Sequence, residues 1–306
     1  MKNIDVIGIG ASLYDIIFGA ETYPEEDTKV RVDSVTYRCG GPCATALAAM
    51  AKLGVSAAYT GAIADDGYAA AMRAEFAEFG VDCSSLVVRK GAKSPFSVIL
   101  TAADKGTRTI VWNRGTLKTT QPEEVPYGLI EKAKVLHLDG NHIDAALAAA
   151  KFAREKGVKV SIDAGKLYDG VRELVKYVDW FVAAESFAFE YSGTDDLRAA
   201  AKLMYDENSP EIVVITCGKR GGMWYDGKEY GEYPIYDVPV VDSTGCGDVF
   251  HGAFVAAMLR GFDYPAACRF SSGVSSMKCT KPGGRAGIPT YDEVTAFLRS
   301  YGEDIG

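Results

Sequence analysis

Long apolar runs are missing from this sequence. No stretch approaches the 18 or so residues that a spanning helix needs, and the opening Met1-Lys2-Asn3-Ile4-Asp5 has neither the basic region nor the apolar block of a secretory signal. A cytoplasmic protein without a membrane partner is expected. Clustered positive charge is missing too: 33 Lys and Arg stand against 41 Asp and Glu, net charge −8, with no basic block. That field opposes nucleic acid and anionic membranes, while a small anionic substrate stays open if a few cations converge in one cleft. Histidine is scarce, three in 306 residues, with no H-E-x-x-H and no cysteine at metal-ligand spacing around them. The seven cysteines are odd in number and contain no C-x-x-C, which points to reduced thiols rather than a disulfide framework. A G-x-S-x-G elbow and a Walker loop are both absent, which removes the common serine hydrolases and the P-loop phosphotransferases. Gly8-Ile9-Gly10 begins like a dinucleotide fingerprint, but its third glycine position holds Leu13. The residues Leu13 to Phe18 then continue as strand rather than opening a helix.

What is present is a regular alternation. Strand-like runs fall at Asp5 to Ile9, Ala57 to Thr60, Val135 to Leu138, Val158 to Ile162, Trp180 to Val182 and Ile212 to Thr216. Between them lie amphipathic helices. Met72, Phe76 and Phe79 share one helix face closed by Gly80, and Leu197, Ala201, Met204 and Tyr205 another. Such an order predicts a mostly parallel sheet covered by helices on both faces, with ligands beyond the carboxyl ends of its strands. Two segments break the alternation. Val30 to Arg38 has strand character, and Phe96 to Leu100 with Arg108 to Trp112 reads as a hairpin turning at Asp104-Lys105-Gly106. They predict a small β-sheet lid, inserted at about 14–38 and 94–115 into a single domain spanning 1–306. A small inserted sheet with an open face favours pairing into a homodimer through the lid.

The segment richest in chemistry is Asp242-Ser243-Thr244-Gly245-Cys246-Gly247-Asp248, followed by Phe250 and Phe254 at helical spacing. Small residues at 245–247 allow a close turn into a helix, whose first N–H groups lie at the positive end of its dipole and form an anion pocket. Asp248 stands in that pocket. A carboxylate there caps the helix, or it takes a proton from a hydroxyl that attacks a bound phosphate.

This segment, with Gly252-Ala253, resembles the C-terminal signature of the ribokinase-like, or PfkB, carbohydrate kinases. Gly40-Gly41-Pro42-Cys43-Ala44-Thr45-Ala46 through Leu53-Gly54 resembles the family's N-terminal glycine-pair signature. Gly61 to Gly67 resembles its next turn, and Thr216-Cys217-Gly218-Lys219-Arg220-Gly221-Gly222 its nucleotide loop. The motifs stand in the family's order over essentially the whole chain. The resemblance implies a three-layer α/β/α sandwich with a β-lid, and ATP-dependent transfer of the γ-phosphate to a hydroxyl of a small carbohydrate. It makes Asp248 the general base and Gly245, Cys246 and Gly247 the anion hole. Asp15, Gly40, Gly41 and Thr45 would meet the sugar, and Thr216, Gly218 and Gly221 would lie along the ATP. Mg²⁺ would neutralise the phosphates. Asp242 and Thr244 match positions where many members hold a monovalent cation such as K⁺, a polar turn before a helix being the alternative.

Three departures loosen the assignment. Thr45 stands where the family usually has Asn. The N-x-x-E of the Mg²⁺ region is Ala184-Glu185-Ser186-Phe187, which leaves Glu185 as either a water-mediated Mg²⁺ ligand or a helix-start residue. Cys246 replaces the usual Ala, Gly or Ser, and its place at a helix start predicts a low thiol pKa. A nucleoside acceptor would need a slot for its base, for which Tyr14, Phe18 and Phe96 are candidates when not committed to the core. A catalytically silent sugar- or nucleotide-binding regulator is the rival from another class. Retention of Asp248 argues against it, since a pure binder gains nothing from a carboxylate facing phosphate. Of Arg31, Arg38, Arg108 and Arg114 in or beside the lid, Arg114 follows a strand that should end near the cleft and could clamp an anionic group on the substrate.

Overall fold

The computed structural model describes residues 4–32, 34–102, 104, 107–303 and 305. The chain opens with β1 (Val6–Ile9), β2 (Leu13–Ala20), β3 (Ser34–Gly40), α1 (Pro42–Lys52), β4 (Ala57–Thr60), β5 (Ala62–Ala64) and α2 (Gly67–Phe79). There follow β6 (Val87–Arg89), β7 (Phe96–Ala102), β8 (Thr107–Asn113), α3 (Tyr127–Ile130), β9 (Val135–Leu138), α4 (Ile143–Glu155), β10 (Lys159–Ala164) and α5 (Val171–Leu174). The C-terminal part adds β11 (Trp180–Ala184), α6 (Glu185–Ser192), α7 (Leu197–Asn208), β12 (Ile212–Thr216), β13 (Gly222–Tyr225), β14 (Tyr230–Tyr233), α8 (Cys246–Leu259), α9 (Tyr264–Lys278) and α10 (Tyr291–Ser300).

Eight strands form the main sheet in the order β14-β13-β12-β11-β10-β9-β1-β4, parallel from β12 to β4 and antiparallel at β13 and β14. Side chains alternate between its faces, as pleating requires. Val6, Val182 and Val214 enter the core beneath α1, α8 and α9, while Ile7, Phe181 and Val213 enter the opposite core with α4 and α7. Gly8 and Gly10 serve this packing. A Cβ at Gly8 would stand 2.5 Å from Leu47 Cδ1, and one at Gly10 would stand 2.5 Å from the Asp139 carboxylate. The α2 helix closes on Gly80 at φ 76° as its periodicity predicts, with Met72 and Phe76 inward.

A second sheet of four strands, β3-β2-β7-β8, is assembled from the two segments that break the alternation. Its strands differ in extent from the sequence reading. β2 supplies a full eight-residue strand, and β3 begins only at Ser34; Asp33, Ala103, Lys105 and Gly106, the last two in the expected hairpin turn, lie outside the described residues. The short β5 and β6 pair with each other, and β13 and β14 extend the main sheet; none of these four was read from the sequence. All seven cysteines are unpaired. No helix among the described residues is long and apolar enough to cross a membrane.

Candidate active site

Two strand ends and two helix starts converge beyond the carboxyl edge of the main sheet. Gly245, at φ 73° directly before α8, turns the chain so that the first turn of that helix faces the cleft. A Cβ at Gly245 would meet the Gly284 backbone at 3.0 Å, so the turn and the close approach both favour glycine. Cys246 N–H makes a long bond of 3.3 Å to Ser243 O, whereas the N–H groups of Gly245 and Gly247 have no partner among the described residues.

A cleft of about 880 Å³, counted out to open solvent, runs from this turn along the end of β12. Thr216, Gly218 and Gly221 line it together with Cys246 and Gly247, so two motifs separate in sequence share one cavity. Its far wall is apolar, with Tyr233, Ile235 and Val240.

Asp248, in the first turn of α8, is half-buried. Burial and the neighbouring charge of Asp139 push its carboxyl up to about 6, against the opposing pull of Arg285, its own backbone N–H and Lys278. Asp139 is itself fixed by four donors, Ala11 N at 2.7 Å, Cys43 N at 3.1 Å, Asn141 N at 3.0 Å and Asn141 Nδ2 at 3.2 Å. Nearby Asp163 faces His251 Nε2 at 3.1 Å. Burial and then the charges of Asp248 and Asp139 drive Asp163 well above the usual carboxylate range, and burial drives His251 well below the usual imidazole range. Burial thus disfavours the charged form of both partners of that pair. Neither Asp139 nor Asp163 was singled out from the sequence; a lone Asp ending each of two buried strands is the signal that could have found them.

The acceptor side lies where the small sheet meets α1. Asp15 on β2 is 9% exposed and accepts a short hydrogen bond from Ser97 Oγ on β7. Burial raises its pKa, while Ser97 and Arg285 pull it back. Gly40 leaves room for that carboxylate, since a Cβ there would stand 2.3 Å from Asp15 Oδ2. Gly41 opens α1 at φ 99° with the Ala11 carbonyl in the place of a side chain. Thr45 differs from expectation. It is 1% exposed, and its hydroxyl accepts from Arg285 Nε at 3.2 Å, so it turns into the protein rather than toward a ligand. Arg285 takes the place beside Asp15 instead, donating also to Gly40 O at 3.0 Å and pairing with Glu75 at 2.9 Å. The run Gly283-Gly284-Arg285 could have flagged it, because an arginine among glycines after a helix has backbone room to turn inward. Arg114 is exposed just past β8, close enough for its charge to help lower His142 at the start of α4.

The expected metal residues are committed elsewhere. Glu185 begins α6 and is ion-paired with Arg220. Asp242 accepts from Thr244 N and Gly283 N, both at 2.8 Å, and the carbonyls of Asp242 and Thr244 accept from Lys278 Nζ. Cys246 reverses its prediction. Its thiol is pushed far up by the hydrogen bond to Cys279 and by burial, and Cys279 is the one drawn down, to about 7. The hydrogen bond between the two thiols and the burial of Cys246 thus act against the helix dipole.

The family is decided by most of the chain: residues 1–291 match the model of the pfkB family carbohydrate kinases. The chain belongs to that family. It is 27% identical to an ATP-dependent ribose-1-phosphate kinase of Halopiger xanaduensis, over 96% of this chain and 98% of the relative. It is 26% identical to a 5-dehydro-2-deoxygluconokinase of Shouchella clausii, over 97% and 96%. In structure it is similar to a protein of Agrobacterium tumefaciens assigned as a ribokinase, with TM-score 0.89, 27% identity and 99% of each chain covered. The Arabidopsis thaliana ribokinase complexed with ribose and ATP gives TM-score 0.83 at 21% identity, over 97% and 99%. The ribokinase-like fold and the assignment as a sugar or nucleoside kinase of this family stand on these likenesses.

Proposed function

We propose that this pfkB-family kinase transfers the γ-phosphate of ATP to a hydroxyl of a small carbohydrate, with Asp248 as the general base. The observation that carries the reading is the position of Asp248. It is a carboxylate with pKa near 6, in the first turn of a helix whose open N–H groups face the same cleft as Thr216, Gly218 and Gly221. A base of that strength is ionised at pH 7 yet basic enough to take a proton in the transition state. ATP with Mg²⁺ supplies the phosphoryl group and the neutralising charge. The donor set fits an anion better than a cation at this end of the cleft, since the Gly245 and Gly247 amides have no partner among the described residues and Lys219, from the loop after β12, lines the same cleft. Mg²⁺ would come with the phosphates and their waters, because Glu185 is paired with Arg220.

In this arrangement Asp15 orients the acceptor by accepting from its hydroxyls, and Gly40-Gly41 lets it approach the backbone. Asp248 accepts the proton of the attacking hydroxyl. The amides of 245–247 stabilise the charge on the transferring group, as preorganised donors whose geometry is set by the fold. The small sheet excludes water, which would otherwise compete as acceptor.

One observation favours a nucleoside as acceptor. Tyr14 stacks on Tyr68 at 4.5 Å, and Tyr68 lies 5.9 Å from Phe96, all three partly open beside Asp15, where a base could stack. A second copy of the chain is the proposed partner. Ile110, Val111 and Trp112 lie exposed on edge strand β8, Trp112 at 66%, and an apolar edge of this kind is normally covered. ATP turnover measured across sugars, sugar phosphates, polyols and nucleosides tests the reading. Phosphorylation of one carbohydrate class is expected; no turnover with any acceptor, despite ATP binding, would leave a silent binding protein.

A further inference from the structure

Lys278, the last residue of α9, has a fully buried side chain. Its Nζ donates to the carbonyl of Asp242 at 2.9 Å and, by a shorter bond, to that of Thr244, and it lies 3.9 Å from Cys246 Sγ. Asp242's carboxylate belongs to the same nest. Burial works against its charge, but the amides of Thr244 and Gly283, and then Lys278, more than compensate and hold it below the usual carboxylate range. Val241 N and Asp242 N close the nest from outside by donating to Cys279 O at 2.8 and 3.1 Å.

An isolated charge in such a place would be costly, so its partners define what the site accepts. Main-chain carbonyls that replace a hydration shell, with a carboxylate alongside, are the donor set of a weakly hydrated monovalent cation. A primary ammonium has the same charge as K⁺ and a similar size. The two carbonyls belong to the loop that leads into Gly245-Cys246-Gly247, so whatever they bind fixes the direction of the N–H groups at the start of α8 and adds positive charge beneath them. The charge of Lys278 is also among those that oppose the rise of Asp248.

We propose that the Lys278 ammonium occupies the monovalent-cation position of this loop, so that the enzyme carries its own cation and its phosphate site does not depend on K⁺. On this reading the K⁺ site expected at Asp242 and Thr244 is not left open, because both carbonyls accept from Lys278. Lys278 is a positioning residue, since it acts on the reacting groups through the 242–245 loop. This inference rests on the reading of the 245–247 amides as the phosphate site.

The test compares KCl, NaCl and choline chloride at equal ionic strength. Wild-type turnover and melting temperature are expected to be the same in all three. Lys278→Ala, which removes the charge and leaves space, should lose at least about tenfold in turnover in choline, the scale of a lost charged hydrogen bond. K⁺ or ammonium should restore much of that loss and raise the melting temperature of this variant. Lys278→Met, which fills the space without charge, should lose turnover and respond to neither ion. Marked K⁺ stimulation of the wild-type enzyme would overturn the proposal, as would wild-type kinetics of Lys278→Ala in choline, or an equal response of both variants to K⁺. Should Lys278→Ala fail to fold, the wild-type cation series and Lys278→Met still decide. The melting measurements contain no substrate, so a failure of the kinase reading would show separately, as no turnover of the wild-type protein with any acceptor.

Discussion

Replacing Asp248 by Asn separates catalysis from stability. The carboxyl of Asp248 titrates at about 6 in the folded chain against 3.8 for an ordinary aspartate, so the folded state binds the extra proton between those values. Stability therefore falls as pH rises from about 4 to 6, and above 6 the full cost of burying the charge is present. At 1.36 kcal/mol per tenfold that cost is at most roughly 3 kcal/mol, an upper bound because the side chain keeps an open edge. Asn is nearly isosteric and uncharged. At pH 8 the variant should melt a few degrees above the wild type, given roughly 0.6 kcal/mol/K for a chain of this length. The gap should shrink to about half by pH 5 and close toward pH 4, where the unfolded chain also takes up the proton. Catalysis should move the other way. Loss of a positioned base lowers kcat by about 10²-fold or more, close to 3 kcal/mol in the barrier. In the wild-type enzyme kcat/KM should rise with pH and level off above about 6, and that acidic limb should be missing from the variant's residual activity. Calorimetry from pH 5 to 8 and a coupled ADP assay over the same range provide both readouts. A variant with near wild-type kcat would remove Asp248 from proton transfer, and a melting difference independent of pH would refute its burial as an ionised carboxylate.

Asp15→Ala should raise KM for the acceptor by at least about tenfold, from the loss of charged hydrogen bonds, with ATP affinity unchanged; equal weakening of both in isothermal titration would give Asp15 a structural role. Arg114→Ala should impair phosphorylation of an acidic sugar more than a neutral one, and equal effects in a paired kinetic comparison would leave Arg114 to solvent. Alkylation followed by peptide mapping should modify Cys279 faster than Cys246 and the five remaining cysteines, with ATP protecting, because Cys279 holds the thiolate and lines the cleft; faster reaction at Cys246 would reverse the proton assignment. Trp112→Glu should shift the protein to monomer in light scattering, and an unchanged mass would place any dimer contact away from β8.

The sequence by itself determined the layers and the turn that opens α8. Alternating apolar runs such as Val135 to Leu138 can satisfy their pleat only in a sheet covered on both faces, and Gly245 to Asp248 can open a helix only in a narrow set of backbone conformations. These are local constraints, readable from neighbours in the chain. Tertiary structure decided which charges meet. Arg285 reaches Thr45 across 240 positions, and Lys278 reaches the carbonyls of Asp242 and Thr244 from the end of another helix. The rise of Cys246 beside Cys279, and that of Asp248 beside Asp139, depend on distances that spacing in sequence does not encode. Hence the helix dipole alone predicted the wrong acidic thiol. Burial and partner charge fall steeply with distance and dominate a pKa, so only the folded chain fixes them.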